Sequence, residues 1–118
     1  MRARASNPNF MNGVPELLIL NLLQWREMYG YEIVDAIRQR SDAALEIGEG
    51  VVYPVLHGLE RDGVLKSHRR RINGRSRIYY SVTARGARHR AHLSQTWSSL
   101  TAAIQKILRG GQHGESVP

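Results

Sequence analysis

The sequence predicts a mainly α-helical chain with a small β-hairpin, an α+β fold, and three observations support this prediction. Three helical patterns lie between residues 14 and 63, each with apolar residues at helical spacing. Two strand-like segments, VLKSHRRRI and RSRIYYSV, then flank Asn73-Gly74, a strong signal for a two-residue type I′ turn. A long helical pattern follows over residues 84–109. A chain of 118 residues is expected to form one modest core.

The first two helical patterns are predicted to form the centre of that core. Pro15 and Glu16 suit a first helical turn, and the segment ELLILNLLQW is apolar on nearly every side. Gly30 interrupts the pattern before the segment YEIVDAIRQR. One face of that second helix is apolar and consists of Ile33, Ala36 and Ile37.

The third helical pattern, VVYPVLHGLERDG, has an inner face and an outer face. The inner face is apolar and consists of Val52, Leu56 and Leu59. Proline is tolerated in the first turn of a helix, so Pro54 predicts a start near Gly50 or Val51, and Gly63 is predicted to end the helix. At about 100° per residue, the outer arc consists of Gly50, Tyr53, Pro54, His57 and Arg61.

The two-residue turn also predicts the register of the hairpin. With Ile72 opposite Arg75, counting outward places Leu65 opposite Val82. One face of the hairpin then carries an apolar row that can anchor it, consisting of Leu65, Ile78, Tyr80 and Val82. Three short helices followed by a basic hairpin are typical of a winged helix-turn-helix, in which the hairpin is the wing.

Charge is distributed unevenly along the chain. Residues 1–62 carry six Lys or Arg and nine acidic residues, whereas residues 63–114 carry eleven Lys or Arg and no acidic residue. This asymmetry indicates a polyanionic partner, with nucleic acid favoured over an anionic membrane, and a solvated basic face is the alternative. The absence of cysteine fits a reducing cytoplasm.

If the partner is duplex DNA, the third helix is the recognition helix, whose N-terminal residues reach base edges. Tyr53 and His57 are then the candidate base readers, and Val51 offers apolar contact to a thymine methyl group. Gly50 would let the backbone approach a phosphate closely. For Tyr53 the alternative is a half-buried aromatic side chain that packs under the wing.

The wing is predicted to contact the DNA backbone and a minor groove. Its arginines alternate faces, so one duplex cannot touch all of them; those near the tip fit a minor groove and the others meet phosphates. The candidate wing residues are Arg69, Arg70, Arg71, Asn73, Gly74, Arg75 and Arg77. For Asn73 the type I′ turn is itself a sufficient explanation.

The C-terminal helix carries a coiled-coil pattern. Apolar residues recur at spacings of 4, 3, 4 and 3 in the series Leu93, Trp97, Leu100, Ile104 and Ile107. About two heptads are too short to pair alone, so we expect this seam to bury against the first helix and a second copy of the chain. The alternative is a helix that folds back on its own domain. The predicted organisation is an arm at 1–13, a winged helix-turn-helix at 14–83, a dimerisation helix at 84–109 and a flexible tail at 110–118.

Three motifs together resemble the PadR family of transcriptional regulators. They are YGYEIVDAI, GVVYPVLHGLERDGVL and SRIYYSVTARG, in the family's order and spacing, and the resemblance covers about residues 14–108. It implies a homodimeric winged-helix repressor of the short type, with a single C-terminal helix. Many relatives have Thr or Ser where this chain has Val51, and the loss of that hydroxyl leaves the operator sequence open but not the DNA-binding role. They commonly have Leu where this chain has Val52, which is a mild change within the core.

The resemblance also implies an inducer, because PadR-like proteins are known as sensors of phenolic acids and other aromatic or cationic compounds. Trp97 is wide for a row of aliphatic side chains, so packing against its copy would leave a slot for a flat aromatic molecule. The alternative is that Trp97 only fills the dimer core.

The sequence offers little support for an enzyme, a cofactor or a metal site. His89 and His92 lie one turn apart, but residues 63–114 contain no carboxylate to complete an acid–base or metal set. The run VPELLILNLL is too short to span a bilayer, so no membrane partner is expected. The sequence therefore favours a cytoplasmic, sequence-specific DNA-binding repressor. The alternative is a basic protein that binds nucleic acid nonspecifically, either in the nucleoid or on RNA. A preference for an inverted repeat distinguishes the two.

Overall fold

The computed structural model describes residues 13–110, so most of the predicted arm and tail lies outside the described residues. Within this range the chain forms four helices and a three-stranded antiparallel sheet, which confirms the predicted α+β fold. In chain order the elements are α1 (Val14–Leu23), β1 (Met28–Tyr29), α2 (Gly30–Arg40), α3 (Glu49–Arg61), β2 (Leu65–Ile72), β3 (Arg75–Val82) and α4 (Ala84–Gly110). None of the helices in residues 13–110 has the length and apolarity that a membrane crossing requires.

The core lies where α1 meets α2 and α3. Helix α1 buries apolar residues on several sides, as its sequence predicts, and Ile19 and Leu20 have no exposed surface. Opposite them lie Ile33 and Ile37 of α2. The predicted inner face of α3 is confirmed, because all of its members are buried: Val52, Leu56 and Leu59.

Helix α3 begins one residue before the predicted start. It begins at Glu49, and Pro54 therefore lies inside the helix rather than in its first turn. Pro54 cannot donate to the carbonyl of Gly50, but both residues are exposed, so water can satisfy that oxygen. At the other end Gly63 has a positive φ of 78° directly after the last turn, as predicted.

The hairpin has the predicted turn and register. Asn73 and Gly74 have φ values of 53° and 77°, as a type I′ turn requires, and Ile72 pairs with Arg75. Its apolar row faces the core, with Leu65 and Tyr80 buried. The sequence did not reveal β1, whose two residues pair with Tyr79 and Tyr80 of β3.

Thr83 and Gly86 attach the start of α4 to the domain. The Thr83 hydroxyl donates to the Gly63 carbonyl at 2.7 Å and accepts from the Gly86 N–H at 3.0 Å. A Cβ atom at Gly86 would overlap the Val64 carbonyl oxygen, so only glycine permits this close approach. These contacts give a physical reason for the Thr-x-x-Gly element of the third motif.

The 27 residues of α4 span about 40 Å and differ in environment along their length. The N-terminal half packs on α1, where the Asn21 side chain bonds Ser94 at 3.0 Å and Arg90 at 3.2 Å. From Ser98 to Gly110 every residue is exposed. Helix α4 therefore extends beyond the domain core.

Candidate nucleic-acid interface

Helix α3 presents most of the predicted recognition residues to solvent. Its buried row turns the opposite face outward, and Val51 is 45% exposed despite its apolar side chain. The exposed members of the predicted set are Gly50, Val51, Pro54, His57 and Arg61. An exposed valine at the N-terminal end of the helix is available for the predicted apolar contact with a thymine methyl group.

Tyr53 lies half-buried between α3 and the start of α2. Its ring covers Gly30 so closely that a Cβ atom there would overlap the ring. Burial, reinforced by the nearby Glu49 carboxylate, raises the pKa of Tyr53 above its ordinary value. The phenol is therefore neutral at physiological pH and keeps an O–H that can donate. Packing fixes the position of the ring, and contact with a base stays a prediction.

A groove of about 600 Å³ separates the recognition helix from the wing. His57 and Tyr53 line one side, and the segment 75–78 of β3 lines the other. Two further tyrosines also line the groove, Tyr29 of β1 and Tyr31 of α2, and Tyr31 is 59% exposed. Sequence reasoning missed both tyrosines. Their positions on either side of Gly30 were the sequence feature that could have pointed to them. The groove brings recognition-helix and wing residues together on one surface.

The wing arginines divide between two faces, as their alternation predicts. Arg69 and Arg71 lie on the face that continues from Tyr80 toward α3. Arg70, Arg75 and Arg77 lie on the opposite face with Tyr79. The turn residues Asn73 and Gly74 are exposed at the tip. Cations thus surround the tip, and no more than one face can lie flat against a duplex.

A group of side chains on the outer face, which we call the Glu27 cluster, consists of Glu27, His68, Arg70 and Tyr79. One carboxylate oxygen of Glu27 accepts a bond from Arg70, and the other lies 3.1 Å from His68 Nε2. The Arg70 guanidinium lies over the Tyr79 ring, 4.7 Å from its centroid, and the His68 ring stacks on Tyr79. Residues 63–114 contain no acid, but pairing of β1 with β3 brings Glu27 to Arg70 as a counter-charge from outside that segment.

Arg77 is also held within the chain. Its guanidinium lies 4.4 Å from the centroid of the Tyr29 ring. By contrast, Arg71 and Arg75 are exposed and have no acidic partner within residues 13–110. The structure therefore separates two fixed wing arginines, Arg70 and Arg77, from two that are free to meet a ligand.

The predicted dimer seam of α4 has a half-buried part and an exposed part. Leu93 packs against the domain core and Trp97 lies half-buried beside α1. Leu100, Ile104 and Ile107 are 47%, 44% and 76% exposed, and Leu108, which the sequence analysis missed, is 66% exposed. Trp97 also lines an open surface groove of about 560 Å³ between α1 and α4, together with Leu17, Asn21, Ser94 and Ala102.

No group of three or more His, Asp or Glu side chains within residues 13–110 is placed to hold a metal ion. His89 does have a carboxylate partner, Glu16 of α1, which the sequence reasoning missed because it considered only the segment 63–114. One carboxylate and one imidazole tie α1 to α4 and do not form a metal set.

Comparison with known proteins agrees with this architecture. The sequence profile of the transcriptional regulator PadR-like family matches residues 19–92. The chain is 30% identical over 104 residues to the transcriptional regulator Rv3488 of Mycobacterium tuberculosis, which covers 88% of this chain and 92% of that protein.

Two solved structures are similar in both sequence and fold. A transcriptional regulator from Clostridium thermocellum superposes with a TM-score of 0.75 at 30% identity, over 83% of this chain and 96% of that one. A PadR family transcription regulator from Clostridium difficile gives a TM-score of 0.72 at 28% identity, over 81% and 99% of the two chains. The matched family profile spans α2, α3, the wing and the first part of α4. The chain belongs to the PadR-like family of transcriptional regulators, whose members are regulators rather than enzymes.

Proposed function

We propose that this regulator is a homodimeric, sequence-specific DNA-binding repressor that acts in the cytoplasm and recognises an inverted repeat in duplex DNA. The observation that carries the proposal is the groove in which Tyr53 and His57 of α3 face residues 75–78 of the wing, with Arg71 on the side of the hairpin that faces α3. The N-terminal half of α3 offers Val51 and His57 to base edges, and Arg71 and Arg75 supply positive charge for phosphates.

The exposed half of α4 supports the homodimer. Four large aliphatic side chains lie open to solvent on this one helix: Leu100, Ile104, Ile107 and Leu108. An isolated soluble chain gains nothing from such a stripe, and a second copy would remove it from water. Symmetric pairing of α4 would also hold two recognition helices at a fixed separation, as an inverted repeat requires.

The open groove beside Trp97 supports release by a small aromatic effector. It lies between α1 and α4, outside the DNA-facing surface, and its lining combines an indole and aliphatic groups with the polar side chains of Asn21, Ser94 and Thr101. A planar molecule bound there would contact the helix that sets the spacing of the two DNA-binding units. A small tilt of that helix would lower affinity for a repeat of fixed spacing.

Selection of bound sequences from a random duplex library tests the proposal. We expect an enriched inverted repeat, a dimer in light scattering, and a reporter promoter that carries the repeat to be silenced by the chain. Uniform recovery of all sequences would instead identify a nonspecific nucleic-acid-binding protein and overturn sequence recognition.

Trp fluorescence tests the effector site. Trp25 is 73% exposed, so the Trp25→Phe variant leaves Trp97 as the reporter, and Trp97→Phe is the matched control. We expect an aromatic compound that quenches Trp97 to lower affinity for the selected repeat. If quenching compounds leave that affinity unchanged, Trp97 is a core residue and induction at this groove is refuted.

A further inference from the structure

The Glu27 cluster places a carboxylate against the wing. DNA phosphates attract cations and repel a carboxylate, so DNA binding alone does not explain this acid. Glu27 precedes β1 and is 43 residues from Arg70 in sequence. Both of its carboxylate oxygens are occupied, one by Arg70 and one by His68. The side chain of Glu27 is 28% exposed, and those of Arg70 and His68 are 40% and 48% exposed.

The cluster fixes Arg70 in a second way. The guanidinium is stacked over Tyr79, a buried ring that belongs to the middle strand of the sheet. An arginine that is held on an aromatic face and bonded to a carboxylate has fewer donors free for another oxygen. To meet a phosphate, Arg70 would have to leave Glu27, and Glu27 would repel the approaching phosphate.

We propose that Glu27 is a positioning residue that keeps Arg70 and His68 away from DNA phosphates and thereby sets how strongly the chain binds DNA of any sequence. This inference rests on the proposed contact between the wing and DNA. The wing then has two classes of arginine: Arg70 is neutralised by Glu27, and Arg71 and Arg75 are available to the backbone.

A limit on phosphate contacts has a physical purpose. Affinity from phosphates is independent of sequence, and a genome offers a vast excess of nonspecific sites. Each additional phosphate contact strengthens binding to all of those sites. Glu27, held against the wing, therefore weakens binding to nonspecific sites without altering the residues that read bases.

The first experiment measures binding of the full chain to a random-sequence duplex over a range of salt concentrations. For Glu27→Gln we expect the slope of log affinity against log salt to become steeper by about 0.9 for each phosphate newly contacted. At about 0.1 M salt this corresponds to roughly five- to tenfold tighter binding per new contact. The double variant Glu27→Gln/Arg70→Ala should lose most of this gain.

A matched control is available in the loop between α2 and α3. Glu46 pairs with Arg38 at 3.4 Å, and both side chains are largely exposed. Glu46→Gln changes the net charge by the same amount and also frees an arginine, but it lies outside the wing. We expect its slope to equal that of the unaltered chain. An equal gain in both variants would show an effect of net charge alone and would overturn the proposal.

A second comparison keeps Glu27 in place, so it does not depend on how the chain tolerates its replacement. Arg71→Ala should make the slope shallower, whereas Arg70→Ala should leave it unchanged, because Glu27 already holds that side chain. A shallower slope for Arg70→Ala would overturn the inference while the proposed function stands. If no variant shows salt-dependent binding to any duplex, both the inference and the proposed function fail.

Discussion

Gly30 and Gly86 are residues at which the absence of a side chain sets the geometry of the proposed DNA-binding surface and of the proposed dimer helix, respectively. Gly30 allows the Tyr53 ring to lie against α2, and Gly86 allows α4 to begin against the Val64 carbonyl. One positions a candidate base reader, and the other positions the helix proposed to form the dimer. Single residues thus couple the domain core to both functional surfaces.

Replacement of Gly86 by alanine should destabilise the fold. The added Cβ would meet backbone atoms, which cannot move aside as a flexible side chain can. We expect a loss of roughly 1–3 kcal/mol in the free energy of unfolding, measured by urea denaturation. Gly50→Ala is the control, since nothing lies within 4 Å of the added Cβ there, and it should leave the free energy unchanged or raise it by up to about 1 kcal/mol, because alanine favours a helix over glycine. Equal stability of the two variants would contradict the close approach.

The exposed face of α3 should read bases. His57→Ala should cost roughly 1–3 kcal/mol on the selected repeat and far less on random DNA, because a base contact forms only where the right base is present. The variant Tyr53→Phe retains the ring that packs on Gly30 and lacks only the hydroxyl, so it tests the contribution of the Tyr53 O–H alone. Affinities on both duplexes provide the measurement. Equal losses on the two would assign these side chains to phosphate contact or to packing.

Among the elements, the wing combines a rigid base with a charged tip. Its base is held by β1, by Tyr80 in the core and by the Ser67 hydroxyl, which bonds Glu60 of α3 at 2.6 Å. Toward the tip the strands leave the core and carry mostly polar or charged side chains near the turn. The wing therefore presents free arginines from a position that the rest of the domain fixes.

Removal of three wing arginines that have no acidic partner within residues 13–110 should weaken binding to all duplexes alike. If each subunit meets ~4 phosphates, the slope of log affinity against log salt should be about −7. The variant Arg69→Ala/Arg71→Ala/Arg75→Ala should make that slope markedly shallower, by about 0.9 for each phosphate that the wing no longer meets, with the same dimer in light scattering. Arg38→Ala, outside the wing, is the control. An unchanged slope in the triple variant would show that the hairpin does not meet the backbone.

On the scale of the whole molecule, α4 divides the chain into a packed domain and an exposed apolar extension. The bonds from α1 to Arg90 and Ser94, together with the pair Glu16–His89, hold the near half of α4 on its own domain. The far half has no partner within residues 13–110. The alternative of a helix that folds back therefore describes the first half of α4 only.

Charges placed on the far half of α4 should separate the proposed dimer. Ile104→Glu/Ile107→Glu would bury two carboxylates from each subunit in the interface. Burial of a carboxylate is strongly unfavourable where no cation pairs with it. We expect a monomer in light scattering, with helical content by circular dichroism largely retained and affinity for the inverted repeat greatly reduced. The exposed Lys106→Glu on the same segment is the control. A dimer that persists in the double variant would place the interface elsewhere.

The sequence by itself determined the features whose causes are local. Proline and glycine act on adjacent backbone, and apolar spacing reports a helix or strand face directly, so the register at Asn73-Gly74 and the buried row of α3 were predictable. Only the tertiary structure decided which distant residues meet. Strand β1 is too short to show a pattern, yet it brings Glu27 to Arg70. Long-range contacts of this kind depend on how the elements pack, which no local signal in the chain encodes.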